Sequence, residues 1–194
     1  MTILTVTGFA GSFSAPSRSR ALVEQAVDLV AERFNAVGHV FDLAQLGPSL
    51  GHARKLGDLA PEALEHVTAL LRADALVIAS PVYKGSYAGL FKHLFDLLDP
   101  GMLAGKPVLL AATGGGDRHA LVIEQHLRPL FGFFEAQTLA TGVYASDRDF
   151  LGGRLTDEAA RTRLSRAVNQ FAPFLNPYTA PALPEAPAPI LKAL

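Results

Sequence analysis

Five short apolar runs, separated by amphipathic stretches of helical period, most constrain what this chain can fold into. Residues 3–6, 40–43, 75–79, 108–112 and 138–144 have strand length and few polar members. Between them, residues 19–34 carry Val23, Val27, Val30 and Phe34 at helical spacing. Residues 61–72 open on a proline, which suits the first helical position. Residues 88–98, 118–131 and 157–171 supply further helices, and residues 47–58 read as a glycine-rich loop. Strands that stay apolar instead of alternating must be buried on both faces. The fold class is therefore α/β, a parallel sheet of five strands with helices on both faces.

Composition sets bounds on this reading. The 194 residues fit one domain, and 49% hydrophobic content is ample for its core. A net charge of −1 argues against electrostatic binding to nucleic acid or a membrane surface. There is no cysteine, hence no disulfide framework and no thiolate chemistry. No apolar stretch has the length of a bilayer span, and the chain opens on a strand instead of a leader, so a cytoplasmic protein is expected. Six of the 13 prolines follow Ala172, which divides the chain into a domain over 1–175 and a proline-rich tail over 176–194.

Ligands of parallel α/β sheets bind beyond the carboxyl ends of the strands. After the first strand comes Gly11-Ser12-Phe13-Ser14-Ala15-Pro16-Ser17-Arg18-Ser19. Its hydroxyls, its guanidinium and the N–H groups of the following helix form a donor set for a phosphate. A serine there could equally serve as a helix cap, but one would suffice. Gly8-Phe9-Ala10-Gly11 lacks the spacing of a dinucleotide fingerprint. Gly101 to Lys106 is one residue short of a phosphate-binding P-loop and precedes its strand. The third strand leads into Pro81, Val82, Tyr83, Lys84 and Ser86, an apolar and aromatic edge. The fourth leads into Thr113-Gly114-Gly115-Gly116-Asp117, where backbone can approach a flat ligand. A phosphate pocket beside a pocket for a flat ring suggests FMN.

Three motifs in order, G-S-x4-S-x-S, P-V-Y-x-x-S-x-x-G-x-x-K and A-T-G-G, resemble those of the NAD(P)H-dependent FMN reductase family. The likeness runs from Thr2 to about Ala172, and within the family it is greatest to reductases of two-component sulfonate-utilisation systems. The resemblance implies a flavodoxin-like three-layer sandwich with strand order 2-1-3-4-5. It implies that Ser12, Ser17, Arg18 and Ser19 hold the FMN phosphate. Pro81, Val82, Tyr83 and Ser86 would edge the flavin ring, with Thr113, Gly114 and Gly115 on the opposite side. Lys84 reads as either a solvated loop lysine or a flavin or nicotinamide contact. Asp117 reads as a nicotinamide contact or a helix cap. Where alkanesulfonate-type members carry a tyrosine insertion that makes a π-helical bulge at a subunit interface, this chain has His126.

The resemblance further implies hydride transfer from NADH or NADPH to FMN, with no catalytic acid or base, and release of reduced FMN to a partner monooxygenase; His119 and His126 share nearly one helix face, but no carboxylate stands at ligand spacing, so no metal is expected. FMN would be a substrate or weakly held. The alternatives are an FMN-retaining quinone or azo reductase of the same fold, a flavodoxin-like electron carrier, or a phosphate- or nucleotide-sensing module. Two residue clusters, Phe91 to Leu98 and Leu130 to Phe134, hold more apolar surface than one sheet face is expected to bury, which predicts a homo-oligomer, dimer or tetramer.

Overall fold

The computed structural model describes residues 3–175. The proline-rich segment 176–194 lies outside the described residues. Strands β1 (Thr5–Ala10), β2 (Val37–Asp42), β3 (Ala75–Pro81) and β4 (Pro107–Gly114) form the centre of a parallel sheet. Two short strands, β5 (Gln137–Thr138) and β6 (Val143–Ser146), both pair with β4 and together fill the fifth position. The order is β2-β1-β3-β4-β5, as the flavodoxin-like expectation requires.

Burial explains why the strands read as continuous apolar runs. Successive side chains point to opposite faces. Phe9, Leu76, Ile78, Val108 and Leu110 enter one core. Val6, Ala10, Val77, Ala79, Leu109 and Ala111 enter the other. Helices α1 (Arg18–Phe34) and α6 (Glu158–Asn169) cover the second face with Leu22, Val23, Val27, Leu164 and Val168. The first face is covered by α2 (Leu43–His52), α3 (Pro61–Arg72), α4 (Gly89–Asp96) and α5 (Arg128–Phe133). There Phe9 stacks on Phe41 at 4.9 Å and on Phe91 at 5.6 Å between ring centroids. No described helix is long and apolar enough to cross a membrane.

Four expectations need correction. Residues 47–58 are not simply a loop, because α2 occupies Leu43–His52. Asp42 caps it by accepting from the N–H groups of Ala44 and Gln45, and Gln45 reaches back to the Asp42 N–H. Leu43, Leu46 and Leu50 are buried, so tertiary packing outweighs the breakers; Gly47 leaves helical geometry at φ 63° just before Pro48.

The helix expected over residues 118–131 is broken. A short 3-10 turn at Asp117–His119 precedes a π-helix at Ile123–Leu127, which leads into α5. In the π-helix the Arg128 N–H donates to the Ile123 carbonyl, five residues back. Pro129 follows and has no N–H to lose by the shift in register.

Most of the apolar residues counted toward an interface belong to the protomer's own core. Phe91, Leu94, Phe95, Phe131 and Phe134 are buried, while Phe133 and Leu121 are exposed.

The expected strand over residues 138–144 is split because side chains take over its backbone bonding. The Arg128 guanidinium donates to Thr138 Oγ1 at 2.9 Å and to the Leu139 carbonyl at 3.0 Å. Arg163 Nε donates to the Gly142 carbonyl at 2.6 Å, and the Thr141 N–H donates to Gln170. Arg128 is itself held by Glu124, Nε to Oε2 at 2.6 Å and Nη2 to Oε1 at 2.9 Å. One arginine thus ties the π-helix to the break between β5 and β6.

Arg128→Ala should lower unfolding free energy in urea by about 1–3 kcal/mol, because partly buried acceptors lose their donor. Glu124→Gln should cost less than about 1 kcal/mol, because the carboxylate is half exposed. The hydrogen bond from Arg128 holds Glu124 below its ordinary carboxylate range. Its contribution is therefore present above that range and fades as pH falls through the depressed value. Wild type and Glu124→Gln should converge in stability at acid pH.

Candidate functional site

The residues singled out in the sequence meet at one rim of the sheet. The Gly11 N–H donates to the Ala79 carbonyl at 2.7 Å, so the loop after β1 starts locked against β3. Ser12 is buried, and its hydroxyl accepts from the Ser14 N–H at 3.2 Å. Ser17 caps α1 by accepting from the Arg20 N–H at 3.2 Å. The N–H groups of Arg18 and Ser19, at the first two helical positions, have no intrahelical acceptor. Capping uses the Ser17 oxygen as an acceptor and leaves its O–H proton to donate.

Ser19 is buried and does not cap. Its hydroxyl bonds to Thr113 Oγ1 at 2.7 Å, joining α1 to the end of β4. Thr113 also accepts at its carbonyl from the Val82 N–H at 2.8 Å. Ser12, Ser19, Pro81, Val82, Thr113 and Gly114 are thus drawn together by the ends of β1, β3 and β4. A Cβ at Gly114 would lie 2.5 Å from the Tyr144 hydroxyl, so a larger residue there must displace that side chain. Gly115 and Gly116 have no atom within 4 Å of the corresponding point and form an open cradle.

Beyond Val82 the chain turns tightly. Tyr83 and Ser86 exchange backbone hydrogen bonds across Lys84 and Gly85, both at positive φ. Tyr83 and Lys84 are exposed on this turn. Ser86 faces the π-helix: its Oγ lies 3.1 Å from His126 Nδ1, and the Tyr87 ring meets the His126 ring edge-on at 6.1 Å. The third loop and the π-helix are therefore one connected unit. Lys92 pairs with Asp96 along α4.

The loop after β6 contributes groups that the sequence reading did not select. Arg18 Nη1 lies 2.9 Å from Asp147 Oδ1, and Asp117 is paired with Arg148. The Tyr144 hydroxyl donates to the Gly116 carbonyl at 2.5 Å. Burial first, then the carboxylates of Asp117, Asp147 and Asp149, raise the Tyr144 phenol above its ordinary value and keep it a donor. Ser146-Asp147-Arg148-Asp149 has the spacing of a capping box at a strand end, and that signal could have marked this loop. Arg20, a basic residue of the same region, is held by Glu24 and Asp42 at 2.8 Å each and is not free for a second phosphate. A separate shallow cleft between α1 and α6 lies away from the strand ends and mixes Asp28, Arg33, Glu158 and Arg161.

The donor set suits FMN: hydroxyls and unpaired N–H groups at one end, and an open glycine cradle at the other. The topology is that of a flavodoxin-like α/β protein. The family model described as NADPH-dependent FMN reductase matches residues 4–150, and the chain belongs to that family. It is similar to the NADH-dependent FMN reductase SfnF of Pseudomonas fluorescens, 41% identical over 93% of this chain and 96% of the relative. It is also similar to an FMN reductase (NADPH) of Pseudomonas aeruginosa, 43% identical over 87% of this chain and 90% of the relative. Among solved structures, an oxidoreductase of Corynebacterium diphtheriae superposes with a TM-score of 0.76 at 34% identity, covering 89% of this chain and 97% of that one. As a family member the chain is an NAD(P)H:FMN oxidoreductase, with FMN and a nicotinamide dinucleotide as its cofactors.

Thr113→Val should leave the Ser19 hydroxyl buried without a partner and lower stability by about 1–3 kcal/mol. The double variant with Ser19→Ala should cost less than the sum of the two single changes in urea unfolding, because both groups of the pair are then gone.

Proposed function

We propose that the chain reduces FMN as an exchangeable substrate and releases reduced FMN to a separate flavin-dependent monooxygenase of the sulfonate-utilising type. The observation that carries the exchange reading is the pairing of Arg18 with Asp147. The phosphate end holds neutral hydroxyls, N–H groups and an arginine already paired with a carboxylate, which suits modest retention. The partner and the sulfonate context rest on the motif resemblance. A dinucleotide-driven reduction that feeds a second enzyme supports a cytoplasmic location.

FMN and the dinucleotide, when bound, supply the two-electron chemistry. Ser12, Ser17, Arg18 and Ser19 would hold the phosphate. Pro81, Val82, Tyr83 and Ser86 would edge the ring, with Lys84 at the outer turn. Thr113, Gly114 and Gly115 would line the opposite side, and Asp117 would border the nicotinamide. Their work is to orient the rings and exclude water, and no side chain is assigned as acid or base. A homo-oligomer remains part of the proposal, with exposed Leu121 and Phe133 flanking the π-helix. Sedimentation at micromolar concentration checks it, and a monomer would contradict it.

The purified protein should be nearly colourless and should oxidise NADH or NADPH only when FMN is added. A yellow protein with stoichiometric FMN would favour a quinone or azo reductase that keeps its flavin. Replacing Ser17 and Arg18 with alanine should weaken FMN by about 2–4 kcal/mol, since hydrogen bonds to charged groups are worth about 1.5–3 kcal/mol each. Riboflavin, which lacks the phosphate, should be nearly indifferent; equal losses would refute the phosphate assignment. Deleting His126 should restore α-helical register across residues 123–127, so that the protein retains FMN and loses turnover with free FMN. His126→Ala should do less, because the extra residue stays. Unchanged retention and turnover in the deletion variant would remove His126 from the mechanism.

A further inference from the structure

The proposed phosphate end carries its own competing anion. Arg18 is the first residue of α1, directly after the capping Ser17. Its guanidinium lies 2.9 Å from Asp147, in the loop after β6. That loop is anchored from beneath, because Asp149 accepts from the Ser146 N–H at 2.7 Å and from its hydroxyl at 3.0 Å. Asp147 is thereby presented to Arg18 from a fixed turn. The neighbouring Arg148 is taken by Asp117 of the glycine loop. Both arginines are therefore already held by carboxylates. A guanidinium already paired with a carboxylate is poorly suited to retaining a phosphate dianion.

We propose that Asp147 is an affinity-determining residue that competes with the FMN phosphate for Arg18 and so sets how readily the flavin leaves. This rests on the reading that the loop after β1 holds the phosphate. A phosphate arriving at the start of α1 gains the guanidinium only as Asp147 gives it up. When the flavin departs, Asp147 takes it back. The exposed ion pair stabilises Arg18 in place by only about two- to fivefold in an equilibrium constant. An arginine freed for a charge-assisted bond to phosphate is worth about tenfold or more. Without Asp147 the phosphate no longer has to break that pair and meets one fewer nearby negative charge, so the expected sign is a tightening.

The test is titration of FMN and of riboflavin against the full chain, in wild type, Asp147→Asn, Asp147→Glu, Arg18→Ala and the Arg18→Ala/Asp147→Asn double variant. Asp147→Asn should tighten FMN about two- to fivefold and slow its release in stopped flow, with riboflavin unchanged. Asp147→Glu, which keeps the charge, should stay near wild type. In the Arg18→Ala background the Asn change should lose most of its effect. Weaker or unchanged FMN binding by Asp147→Asn would overturn the proposal. So would equal tightening of riboflavin, or equal tightening without Arg18, since neither runs through competition for the guanidinium. If Arg18→Ala weakens FMN and riboflavin alike, the phosphate assignment itself fails and the competition fails with it. If Arg18→Ala weakens FMN alone while Asp147→Asn does nothing, only the competition fails.

Discussion

The structure depends on one constraint: a parallel sheet buried on both faces. Each strand from β1 to β4 surrenders alternate side chains to two cores, so neither face can be left to water. Parallel pairing also requires every connection to cross back over a face, which is why helices separate the strands. All strands therefore empty at the same rim. The loops after β1, β3, β4 and β6 meet there whether or not their sequences resemble one another. The site is a consequence of that geometry before any of its residues is considered.

What binds the rim together is a small set of polar contacts of two kinds. The buried contact between Ser19 and Thr113 and the Val82 bond to the Thr113 carbonyl fix backbone positions. Such contacts are costly to break because their groups have no water to turn to. The ion pairs of Arg18 with Asp147 and of Arg148 with Asp117 are exposed and can exchange partners at little cost. A rigid inner ring and an exchangeable outer ring of charge suit a protein that orients a flat ring yet lets it go.

The π-helix joins this rim to the edge of the sheet. Ser86 and Tyr87 meet His126 on one side, and Arg128 reaches the split between β5 and β6 on the other. A π-helix is a poor hydrogen-bonding arrangement left to itself. Here Pro129 lowers the loss, and the Arg128–Glu124 pair spans the segment. The irregular helix is thus supported by the side chains around it.

The sequence by itself determined the α/β class, the existence of most elements and the three loops after β1, β3 and β4. Those signals are local: apolar runs, helical spacing, and small or hydroxylated residues at strand ends. Tertiary structure decided the rest. It moved the first strand from residues 3–6 to Thr5–Ala10 and the second from 40–43 to Val37–Asp42, because ladder pairing between neighbours sets the bounds. It made a helix of Leu43–His52 despite Gly47 and Pro48, because three leucines there are buried. It split the last strand, because Arg128, Arg163 and Gln170 take its backbone groups from distant positions. It also paired Arg18 with Asp147 across 129 residues of chain. Long-range charge pairing leaves no periodic trace in a sequence, since it depends on which loops the sheet brings to one rim.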